Sequence, residues 1–80
     1  MKYFYYESIN HMDGRRNGFG IMHAIDAETA IEDYYEDREE EGNLLDVLRL
    51  YEITEDKYKA FPYFFPEKSQ IVYNDYEGEE

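Results

Sequence analysis

The stretch DAETAIEDYYEDREEEG, Asp26 to Gly42, decides the fold. Ala27, Ala30, Ile31, Tyr34 and Tyr35 recur at helical spacing and form one apolar stripe. Asp26 is a good N-cap, and Gly42-Asn43 is a stop signal. The spacing predicts a helix of about 15 residues, roughly 23 Å long. Residues 3–9, YFYYESI, read as a strand. Residues 18–25, GFGIMHAI, read as a second, with Phe19, Ile21, His23 and Ile25 on one face and Gly20, Met22 and Ala24 on the other. A loop of about eight residues, HMDGRRNG, joins them and carries two turn signals, Asp13-Gly14 and Asn17-Gly18.

Beyond the helix, residues 44–54, LLDVLRLYEIT, form a β-rich run without clean alternation, which suggests a central strand covered on both faces. Thr54 can cap a short helix, EDKYKAF, that Pro62 ends. PYFFPEKS is an aromatic turn, and SQIVYND is a candidate edge strand. The expected fold is α+β: a three- or four-stranded antiparallel sheet with one main helix packed on one face, in the order ββαβ plus a short helix. The helix stripe is expected to cover Phe19, Ile21 and the inward residues of the first and third strands. Residues 1–73 would form one domain, and 74–80 an acidic, frayed tail.

The chain has 80 residues, so its core is thin, and it lacks cysteine, which removes disulfides and thiol chemistry. Its start resembles no signal peptide, and no run reaches the length of a membrane span; the sequence reads as cytoplasmic. Ten tyrosines and no tryptophan supply rings whose hydroxyls can reach water.

The net charge of −12 is unevenly placed. Residues 26–41 hold nine acids and Arg38, a net −8, whereas residues 1–25 hold two acids and three bases, a net +1. Within the helix, Glu28, Glu32, Glu36 and Glu40 are four apart, and Asp33, Asp37 and Glu41 form a second row, with Glu39 beside them. Residues at i and i+4 share a face, so the carboxylates repeat every 6 Å or so along the axis. Their density along the axis is within a factor of about two of the phosphate charge on duplex DNA. Five like-charged i,i+4 pairs cost about 1–2.5 kcal/mol in total, and the acids of the last turn oppose the helix dipole. A thin domain that tolerates this cost points to a use for the charge: an interaction surface made of Glu28, Glu32, Asp33, Tyr35, Glu36, Asp37, Glu39, Glu40 and Glu41. The plainer alternative is a solvated face that keeps the chain soluble. Polyanions such as nucleic acid and anionic membranes are poor partners, and a basic protein is a good one.

Other chemistry lacks support. His11 and His23 come without cysteine or an HExxH helix, so no metal site is expected, and no calcium-loop motif is present. Ser8 and Ser69 have no nucleophile-elbow context. Gly18-Phe19-Gly20 lies in a strand and lacks the lysine of a phosphate loop. Arg15 and Arg16 are expected in a solvated turn. No catalytic residue and no cofactor is expected, and the chain reads as a non-enzyme.

Tyr3, Phe4 and Tyr5, then Gly18, Phe19 and Gly20, then Glu52, Ile53, Thr54, Tyr58 and Phe61 resemble the layout of small acidic proteins encoded by phages and mobile elements. In broad character the chain is similar to anti-CRISPR and other DNA-mimic proteins. That resemblance implies an inhibitor of host defence, with a CRISPR effector or restriction enzyme as its basic, nucleic-acid-binding partner. A second reading is a structural or interaction module that uses the aromatic surface Tyr63 to Phe65, including self-association.

Overall fold

The structure, a computed structural model, describes residues 1–42 and 46–76. Leu44 and Leu45, expected at the start of the third strand, lie outside the described residues. The elements run β1 (Lys2–Asn10), β2 (Arg16–Ala24), α1 (Ala27–Glu40), β3 (Asp46–Ile53), α2 (Glu55–Lys59), a 3-10 turn (Lys68–Gln70) and β4 (Ile71–Asn74). The four strands form one antiparallel sheet in the order β2-β1-β3-β4, so the expected α+β fold is what the chain adopts.

The hairpin is tighter than expected. Its loop has five residues, 11–15, because both strands extend toward the turn. The Asn10 side chain accepts the Met12 N–H at 2.8 Å, and Asp13 accepts the Arg15 N–H at 2.9 Å. Gly14 takes φ +74°, a left-handed conformation that favours glycine. The second turn signal is not a turn. Asn17 sits where the pairing slips by one residue, Ser8 opposite Gly18 but Ile9 opposite Arg16. Its amide donates to Asp46 at 2.9 Å, which anchors the bulge to the third strand.

The sheet is a middle layer with an apolar cluster on each face. On one side α1 buries Ala30 and Tyr34 against Phe4, Ala24, Leu48 and Leu50. On the other, α2 and the segment that follows it bring Tyr58, Phe61 and Phe64 onto Tyr5, Tyr51 and Ile53. This corrects the expected contact of α1 with Phe19 and Ile21. Those residues belong to the second face, where the Phe19 ring lies 5.9 Å from Phe61, while α1 takes Met22 and Ala24. Both faces of β2 carry apolar side chains, and the bulkier one goes to the aromatic layer. Gly20, on the α1 face, leaves space for the Tyr6 ring: a Cβ there would lie 2.9 Å from it.

Thr54 caps α2 by accepting the Lys57 N–H at 3.2 Å. The chain does not leave the sheet at residue 73. Asn74 closes β4, the Asp75 N–H donates to the Leu48 carbonyl at 2.9 Å, and the Tyr76 N–H donates to the Asn74 side chain at 3.1 Å. The remainder of the expected tail, 77–80, lies outside the described residues.

Candidate functional site: the outer face of α1

Asp26 starts α1 by accepting the Thr29 N–H at 2.9 Å. That hydrogen bond holds the Asp26 carboxyl below its ordinary range. The helix then runs 14 residues, about 21 Å. Its inner side is fixed by packing and by hydrogen bonds to the sheet. Ala30 is fully buried, so the helix lies close to the sheet. The buried Tyr34 hydroxyl meets Ser8 at 2.8 Å. Tyr35 is half-buried: its hydroxyl accepts the Leu48 N–H at 3.0 Å and donates to Asp75 at 2.6 Å. Burial first, and the Asp75 contact second, push the Tyr35 phenol well above its usual range. Arg38, the sole base of the helix, is turned inward with its guanidinium 5.3 Å from the Tyr34 ring.

These anchors set the direction of the acids. Tyr35 marks the flank of α1 that faces β3 and β4. Residues two before and two after it lie about 160° round the helix in opposite senses, so Asp37 faces the β2 side and Asp33 lies between it and the outward Glu40. Glu36 and Glu40 point outward, and Glu28, Glu32 and Glu39 lie between them and Tyr35. The predicted rows therefore open into a fan covering roughly half the helix circumference.

Glu28, Glu32, Asp33, Glu36, Asp37, Glu39 and Glu40 are all exposed, and none forms an ion pair among the described residues. Glu41 differs: it is the C-cap, and its carboxylate meets Arg38 at 3.4 Å. Tyr35 contributes only ring surface, because its hydroxyl is committed internally. It lines an open hollow with Glu32, Asp33, Glu36 and Glu39. Among the described residues no three acidic or imidazole groups converge as metal ligands would, in keeping with carboxylates that fan outward. No helix among these residues is long and apolar enough to cross a membrane.

The aromatic segment divides by side. Phe61 and Phe64 fold onto Tyr5 at 6.4 and 5.9 Å between ring centres. Tyr63 and Phe65 point away and are 88% and 75% exposed. His23 is exposed on β2, with its ring edge-on to Tyr58 at 6.1 Å.

Sequence reasoning missed two features. Asp75, placed in the frayed tail, holds the acidic helix to the sheet through Tyr35. Arg16, placed in a solvated turn, opens β2 and meets Glu7 at 3.1 Å, and Arg49 meets the same carboxylate at 3.4 Å. Odd numbering puts Glu7, Arg49 and Tyr51 on one face, but only the register reveals that Arg16 joins them across the bulge. No protein-family model matches this chain, and neither does any curated protein or solved structure.

Proposed function

We propose that this chain is an acidic inhibitor that docks the outer face of α1 into the nucleic-acid-binding groove of a basic protein. One observation carries the reading: seven carboxylates stand exposed on one helix with no ion-pair partner among the described residues, while the helix's own arginine is turned inward. Anchoring by Ala30, Tyr34 and Tyr35 holds the charges on a rigid element, so little entropy is lost when they meet a partner. Carboxylates spaced along about 21 Å take the place of backbone phosphates. Opposite charge on the two surfaces speeds encounter and makes affinity fall with salt. The resemblance to phage anti-defence proteins supplies the target class, a CRISPR effector or restriction enzyme. No catalytic step and no cofactor belongs to this reading, and the chain itself avoids nucleic acid.

The test is capture from lysate on the immobilised chain and, in parallel, on a variant with Glu32→Lys, Glu36→Lys, Asp37→Lys and Glu40→Lys. The proposal expects a basic nucleic-acid-binding protein on the native chain, eluted by a salt gradient and absent from the variant. Retention of the same proteins on both would overturn it.

The exposure of Tyr63 and Phe65 favours one other reading, an aromatic interface on the opposite side of the sheet. Tyr63→Ser with Phe65→Ser would then abolish binding or self-association, and the acidic substitutions would leave it intact.

A further inference from the structure

The second face of the sheet is covered only in part. Toward the hairpin this face carries Glu7, the buried Ile9, Arg16, Arg49 and Phe19. The Glu7 side chain is 12% exposed, and among the described residues it is the one carboxylate paired with these two guanidiniums. Arg16 reaches one of its oxygens at 3.1 Å and Arg49 the other at 3.4 Å, each through a single NH group. The Tyr51 hydroxyl donates to Glu7 at 2.9 Å, and Arg16 also donates to the Tyr5 hydroxyl at 3.4 Å. The Arg16 guanidinium lies 4.9 Å from the centre of the half-exposed Phe19 ring. Two cations and one anion leave a local charge of +1 on a chain whose total is −12. The buried Arg49 Nε–H, like that of Arg38, has no acceptor among the described residues. A buried donor without a partner is unfavourable and calls for an explanation.

We propose that Arg16 and Arg49 together bind a small oxyanion, the carboxylate or phosphate group of a ligand, on the open end of this face. Two planar guanidinium forks suit such a group, because each has NH donors left over after meeting Glu7. The Phe19 ring lies beside the Arg16 guanidinium. Arg16, the more exposed of the two at 40% against 20% for Arg49, stands at the entrance. Glu7 holds both guanidiniums in place, and its own charge keeps affinity modest. The site lies across the sheet from α1, so it is independent of the docking face proposed above.

The test follows the side-chain Nε–H resonances of Arg16 and Arg49 by NMR during titration with inorganic phosphate, with acetate, and with chloride at matched ionic strength. Saturable shifts at millimolar phosphate or acetate, absent with chloride, are expected; the better of the two anions identifies a phosphate or a carboxylate source. Arg16→Gln, which leaves Glu7 its Arg49 partner, should weaken binding about tenfold. Glu7→Gln should tighten it about tenfold, because it removes a like charge at contact distance. A purely structural ion-pair network would not gain affinity in that variant. Equal responses to all three anions, or shifts that neither substitution alters in folded protein, would overturn the proposal.

Discussion

Two buried contacts test the packing at the scale of single residues. Ser8 and Tyr34 are both buried and share one hydrogen bond of 2.8 Å between β1 and α1. Tyr34→Phe would leave the Ser8 hydroxyl buried without that partner, at a cost of about 1–3 kcal/mol. Adding Ser8→Ala should recover part of the loss, so a double-mutant cycle by denaturant unfolding should give a non-zero coupling. Gly20→Ala would place a methyl group 2.9 Å from the Tyr6 ring, and such overpacking typically costs about 1–3 kcal/mol. Additive loss in the Ser8–Tyr34 cycle, or an unchanged midpoint for Gly20→Ala, would contradict these assignments.

At the scale of elements, what could be read from the sequence follows from what is local. The helix was legible because its cap, stripe and stop lie within 17 residues, and its acids are fixed in direction by the same period. The face of β2 that meets α1 was not legible. Phe19 and Ile21 go to the aromatic layer because Phe61 and Phe64, some forty residues later, cover that side. Asp75 and the Arg16–Glu7–Arg49 cluster were hidden for the same reason, since they depend on strand register and a bulge. The helix itself carries a prediction. Neutralising Glu32, Glu36 and Glu40 to glutamine removes three like-charged contacts, so thermal stability should rise by about 0.5–1.5 kcal/mol. The tyrosines carry another. Tyr5, Tyr34, Tyr35 and Tyr51 are each held above the ordinary phenol range, first by burial. A raised folded-state value means that the contribution is complete below the unfolded value, near about 10, and is lost as pH climbs past it. Stability should therefore decline above that pH, and Tyr35→Phe should make the decline shallower while lowering stability at neutral pH, measured by denaturant midpoints across the alkaline range.

At the scale of the whole molecule, a net charge of −12 on 80 residues works against compactness. The melting temperature should rise as salt increases toward about 0.15 M, where screening shortens the reach of the repulsion to about 8 Å. The same charge that weakens the free chain strengthens its approach to a basic partner. The most direct test is the slope of log Kd against log salt for the captured partner, measured with the native chain and with Glu32→Gln, Glu36→Gln, Asp37→Gln and Glu40→Gln combined. Docking through α1 predicts a steep slope for the native chain that is shallower in the variant, with weaker binding at low salt. An unchanged slope and affinity in the variant would contradict it.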